Sequence, residues 1–149
     1  MKNKKVIIII CLIVLLLIGA IIFILKPKED YSGKYVKLMV NASTLKDKLL
    51  NNPSADTFYE KLKTGNLKVI AIDNGGFEKV ANLEYSLPTS DEIFTTKPGD
   101  VVLYQGNKIA IFYGKNNYSY TKLGRIESTN ASFLKSILGS GDVTLEFSI

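Results

Sequence analysis

Histidine and tryptophan are absent from this 149-residue chain, and cysteine and arginine occur once each, at Cys11 and Arg125. Without imidazole there is no Ser-His or Cys-His nucleophile and no His-ligated zinc or haem. One cysteine permits neither an internal disulfide nor a thiolate metal cluster. Ser43, Ser119 and Ser132 have no base to activate them, so the sequence supports no hydrolase. Asp73, Asp91, Glu92 and Asp100 stand in turn-like sequence without the oxygen spacing of a calcium loop, and they read as solvated turn residues. Gly75-Gly76 and Gly139-Ser140-Gly141 do not open a helix with a following Lys-Ser/Thr, so neither is a phosphate cradle. No metal site and no cofactor is expected.

Charge is missing from one long stretch. Residues 6–25 (VIIIICLIVLLLIGAIIFIL) hold twenty residues with nothing more polar than Gly19 and Cys11. As a helix such a run measures about 30 Å, the thickness of a bilayer's hydrocarbon core. A lone apolar run in lipid must be helical, because its backbone has no other partners. A cleavable signal peptide has a shorter apolar region, about 7–15 residues, followed by a small-x-small site. This run instead ends Phe23-Ile24-Leu25-Lys26-Pro27, and Cys11 follows Ile10 rather than a lipoprotein's small residue. The segment is read as an uncleaved transmembrane anchor running from Val6 through Leu15 to Leu25, with the bilayer as its partner. Lys2, Lys4 and Lys5 precede it, whereas Lys26 and Lys28 are offset by Glu29 and Asp30. That bias favours a cytoplasmic N-terminus and an extracytoplasmic C-terminal part. Ile-, Lys- and Asn-rich usage, with no disulfide in an exported domain, suits a bacterium. The expected order is a cytoplasmic tail at 1–5, the anchor at 6–25, a linker at 26–33 and one domain at 34–149, all at the cell membrane. From residue 31 onward 14 Lys/Arg face 12 Asp/Glu, a balance that gives no nucleic-acid footprint.

Beyond the anchor the pattern is strand-like, with turn residues at short intervals. Residues 34–40 alternate, Asn41-Ala42 is a two-residue turn, and 43–50 form a second strand. Asn51-Asn52-Pro53 opens a helix, with Ala55, Phe58, Tyr59 and Leu62 as its buried face, and Gly65 ends it. Residues 67–73 and 77–85 flank the hairpin signal Asn74-Gly75-Gly76. Residues 86–100 read as a long loop. Strands follow at 101–104, 108–113 and 118–127, then a short helix at 131–138 between Asn130 and Gly139, and a last strand at 143–147. Many short strands and few helices predict a mainly β fold, an antiparallel barrel or sandwich whose open ends two short helices cap.

VNASTLKDKLLNNPSADTF (40–58), FEKVANLEYSLP (77–88), PGDVVLYQGNKIAIFYG (98–114), YSYTKLGRI (118–126) and ILGSGDVTLEF (137–147) resemble, in order, the segments of bacterial cyclophilin-like domains. The resemblance covers about 34–149 and implies a closed eight-stranded barrel capped by helices, here behind an N-terminal transmembrane helix. Two departures fall near strand starts: Lys63-Thr64-Gly65 stands where the family has Leu-Pro, and Val80 where it has Tyr. The resemblance also raises X-Pro isomerisation, whose barrier is ~18–20 kcal/mol. True cyclophilins carry the donor in a Phe-His-Arg run. This chain has no His, and Arg125 matches a segment outside the catalytic strand, so no catalytic residue is carried over. A Lys lacks the planar fork.

A binding role fits better. Phe112, Tyr113, Tyr118 and Tyr120 surround the 114–117 loop, and with Arg125 nearby they suit docking of a peptide or glycan. The alternative is that members of this group fill the barrel interior and that Arg125 lies on the outer face or in a structural ion pair. The expected function is therefore a non-catalytic module that binds a peptide or protein. An extracytoplasmic prolyl isomerase or folding factor with a non-standard site, and a structural subunit of a membrane complex, stand as rivals.

Overall fold

The computed structural model describes residues 2–24 and 28–149. The first element, α1 (Lys2–Ile24), contains an 18-residue window, Lys4–Ile21, long and apolar enough to cross a bilayer; a signal sequence near an N-terminus meets the same criterion. Val6 and Leu15 are exposed on this helix, as a lipid-facing surface requires. Leu25, the last residue of the expected span, and Lys26 and Pro27 of the expected linker lie outside the described residues.

The remaining elements are β1 (Tyr31–Val40), β2 (Ser43–Leu50), α2 (Pro53–Lys63), β3 (Leu67–Asn74), β4 (Glu78–Asn82), β5 (Glu92–Thr95), β6 (Asp100–Tyr104), β7 (Lys108–Phe112), β8 (Asn117–Ile126), α3 (Ala131–Leu138) and β9 (Val143–Ser148). The strands pair antiparallel in the order β2-β1-β9-β3-β4-β7-β6-β8, and β2 then pairs with β8, closing an eight-stranded barrel. Closure satisfies the backbone groups that an open sheet would leave on its edges. The eight barrel strands turn alternate residues inward. Val36, Leu38 and Val40 of β1, Leu103 of β6, Ile109 and Ile111 of β7, and Leu145 and Phe147 of β9 are all fully buried in one cluster.

Both shorter helices feed that cluster. Asn52 caps α2 by accepting the Ala55 N–H at 2.9 Å, with Pro53 in the first turn, and Phe58 meets Phe147 edge-on at 5.6 Å. Asn130 caps α3 through the Phe133 N–H, and Leu134 and Leu138 turn inward. α2 follows the end of β2, whereas Asn41 at the β1–β2 turn donates to the Ile137 carbonyl of α3, so the helices serve the two ends of that strand.

β4 ends at Asn82, three residues before the expected end at residue 85, and two further differences from the sequence pattern stand out. β1 begins at Tyr31, three residues before the expected Lys34; its register shifts between Tyr31 and Tyr35, where Gly33 takes a φ of 79°. β5 lies inside the expected loop at 86–100. It adds to the first half of β8, pairing Glu92 with Tyr120 and Thr95 with Asn117. Its Ile93 is 78% exposed, so this four-residue edge strand lacks the buried alternation that marks the others.

Candidate functional site

A second apolar cluster forms on the outer face, where β4, β7, β6 and β8 lie side by side. Val102, Ala110, Phe112 and Tyr120 are buried there, with Phe77, Val80, Phe94 and Tyr104 packed around them. Phe77 stacks on Phe112 at 6.2 Å, and Phe112 meets Tyr120 edge-on at 5.5 Å. Phe112 and Tyr120 are outward members of strands whose alternate residues build the interior, and Phe77 comes from the turn before β4.

A groove of about 380 Å³ crosses this face. Val80 and Ala110, paired across β4 and β7, lie at the middle of its lining. Tyr104, Tyr118 and Tyr120 form one wall, with ring centroids 5.7 to 5.9 Å apart. Ile72, Asn74 and Glu78 come from β3 and β4, and Lys108 and Asn116 complete the lining. Tyr118 is 52% exposed, whereas Tyr120 is 4% exposed and its hydroxyl accepts from Asn116 Nδ2 at 2.8 Å. Burial raises the Tyr104 and Tyr120 hydroxyls above the usual phenol range, so both stay protonated at neutral pH.

The polar end is Glu78, opposite Asn74 across the β3–β4 hairpin and opposite Phe112 across the β4–β7 ladder. It is 4% exposed. Asn74 Nδ2 donates to its Oε1 at 2.5 Å, and among the described residues Oε2 accepts no hydrogen bond. Burial pushes its carboxyl above the ordinary glutamate range, the Asn74 bond pulling the other way. The tight connection that sets Asn74 against Glu78 needs Gly75 and Gly76, at φ 62° and 71°. Hydrophobic walls with one buried carboxylate and a few amides can orient a small polar or cationic group.

A model of the cyclophilin-like family matches residues 38–148. The chain belongs to the cyclophilin-like family. No curated protein matches it.

The cyclophilin-like barrel divides the five residues expected to form one binding group. Tyr118 and Tyr120 line the groove, and Phe112 supports it from beneath in the outer cluster. Tyr113 turns the other way and joins the interior cluster, where its hydroxyl donates to Asp73. Asp73 also receives Lys79 Nζ at 2.9 Å; these two bonds, Tyr113's the larger, hold its carboxyl below the usual aspartate range. Asp73 is thus part of a structural triad rather than a free turn residue. Arg125 is away from the groove. Its guanidinium pairs with Asp100 and donates to the Pro98 carbonyl at 3.1 Å, the structural ion pair that the sequence left open.

Sequence reasoning did not nominate Glu78, Asn74, Tyr104 or Asn116. The Asn74-Gly75-Gly76 signal contained part of the answer, since a tight turn there places residue 74 opposite residue 78 on one face. Nothing local places Tyr104 beside Tyr118, because that contact requires β6 and β8 to be neighbours.

Proposed function

We propose that this chain is a bacterial single-span membrane protein whose cyclophilin-like barrel stands outside the cytoplasm and binds an extended peptide or protein segment in its outer groove. The observation that carries the reading is the groove itself: an aromatic wall with half-exposed Tyr118, an apolar floor, and buried Glu78 with an unused oxygen. Tyrosines of this kind favour recognition, since each offers a large rigid face and a polar tip. The volume lies at the small end of the roughly 300–1,000 Å³ range of ligand sites, which fits a side chain or two better than a cofactor. Catalysis of prolyl isomerisation finds less support, because the only arginine is engaged by Asp100 and Pro98. Anchorage rests on the length and composition of α1, and the outward orientation on the Lys2, Lys4 and Lys5 flank.

Two experiments test this. Panning a random displayed-peptide library against the full chain in lipid nanodiscs should enrich peptides whose binding is lost in Tyr118→Ala; no enrichment over empty discs overturns the binding role. For topology, a cysteine replacing exposed Glu92 should react with a membrane-impermeant maleimide on intact cells. Reaction only after lysis reverses the orientation.

A further inference from the structure

Four charged side chains are buried among the described residues: Asp47, Glu78, Lys79 and Asp100. Two are partnered within the fold. Lys79 donates to Asp73 and to the Gly141 carbonyl, and Asp100 pairs with Arg125. Asp47 has no side-chain partner among the described residues, but it is fully enclosed and no ligand can meet it. Glu78 differs in bordering an open groove; its Oε2, itself enclosed, is left without a donor among the described residues. A buried acceptor without a partner is costly, more so when it is charged, so a ligand supplying the donor gains what the free protein forgoes.

We infer that the groove takes a lysine side chain of the bound segment, its ammonium on Glu78 Oε2 and its methylene stem along Val80 and Ala110. The inference deepens the binding-module reading and rests on it. The number of open acceptor positions selects the donor. Because Asn74 already occupies Oε1, Glu78 offers one oxygen, which suits a point-charge ammonium and leaves half of a guanidinium's parallel fork unmet. Asn74 and Asn116 spend amide N–H groups on Glu78 and Tyr120, leaving their amide oxygens to accept the other ammonium hydrogens. The tyrosine wall adds ring faces that attract a cation, and Lys108 already places its ammonium 5.3 Å from the Tyr104 centroid. Lys108 does not fill the role itself. It is held by Gln105 Oε1 at 2.5 Å, and its ladder position lies two pairs beyond that of Ala110 and Val80, on the side away from Glu78.

The test uses end-blocked pentapeptides with a central Lys, Arg, norleucine or acetyl-lysine among alanines. Each is titrated into the full chain in nanodiscs while the tyrosine ring resonances are followed. The Lys peptide should bind about tenfold more tightly than the norleucine and acetyl-lysine peptides and more tightly than the Arg peptide, shifting Tyr104, Tyr118 and Tyr120. In Glu78→Gln the Lys and norleucine affinities should converge. Equal binding of Lys and norleucine peptides at the same rings overturns the ammonium assignment and leaves peptide binding standing. Arg equal to Lys overturns the one-oxygen argument, and a Lys preference that survives in folded Glu78→Gln overturns the role of Glu78. If no peptide moves the rings, the binding-module reading falls and takes this inference with it. Should Glu78→Gln fail to fold, the Lys-against-norleucine comparison on the unaltered chain decides the matter.

Discussion

Gly124 leaves no room for a side chain beside Asp47: a Cβ added there would strike the Asp47 carboxylate and come within 2.8 Å of the Lys48 carbonyl oxygen. The contact spans the β2–β8 seam that closes the barrel. Gly124→Ala should therefore push β2 and β8 apart and lower stability by ~1–3 kcal/mol, read as a reduced urea midpoint of the full chain in detergent. An unchanged midpoint would mean that the seam yields easily.

Asp47 gives the barrel a pH dependence. It is fully buried, and among the described residues neither oxygen has a hydrogen bond of ordinary geometry. Burial pushes its carboxyl from 3.8 up to about 7, with the Arg125 backbone N–H pulling weakly the other way. Between those values the folded chain keeps a proton that the unfolded chain has released. The stabilising contribution is whole below about pH 4, declines as pH rises, and is gone above about pH 7. Asp47→Asn should remove up to ~1.4 kcal/mol of slope per pH unit across that window and be more stable than the parent at mildly alkaline pH. Urea midpoints at several pH values measure the difference; raised Glu78 and Asp100, retained in both chains, contribute equally. Parallel curves would contradict the burial argument.

Tyr118 and Tyr120 should separate cleanly under alanine substitution. Tyr118 is half-exposed and its loss should cost under ~1 kcal/mol, whereas Tyr120 packs against Phe94, Tyr104 and Phe112 and its loss should cost ~3 kcal/mol or more. Thermal melts of the two variants check this. Equal losses would place Tyr118 in the packed layer and remove it from the groove's usable surface.

Arg125→Met should destabilise the chain without altering groove binding. It strands Asp100, whose carboxyl burial already raises above the aspartate range despite the Arg125 charge. Removing one partner of a largely buried pair costs on the order of 3 kcal/mol, less here because Arg125 is about one-third exposed. Calorimetry paired with the lysine-peptide titration separates the two effects; weaker peptide binding in a folded variant would bring Arg125 back into the site.

Prolyl isomerisation by the full chain should run at the uncatalysed rate in a protease-coupled assay. The guanidinium that would stabilise the twisted amide is committed to Asp100 and Pro98. Acceleration that survives Arg125→Met and vanishes in Tyr118→Ala would establish an unconventional catalytic groove.

The bulge in β8 shows why periodicity located the strands but not the site. Its register jumps from Val102 opposite Lys122 to Val101 opposite Gly124, inserting Leu123. Alternation ahead of the bulge turns Tyr118 and Tyr120 outward, and the extra residue resets the phase for Gly124, Arg125 and Ile126. A sequence pattern records alternation along one strand and says nothing of an unpaired residue facing its neighbour. β5 was illegible for a related reason, since an exposed four-residue edge strand needs little apolar patterning.

The sequence by itself determined the apolar N-terminal helix, the Asn52 and Asn130 caps, the hairpin turns and membership among cyclophilin-like barrels, because each is written in contacts between near neighbours or in recurring local patterns. Only the tertiary structure decided which outward residues meet. Glu78, Tyr104 and Tyr118 come from three strands, and the side-by-side pairing of β4, β7, β6 and β8, through hydrogen bonds between segments remote in the chain, brings them to one groove.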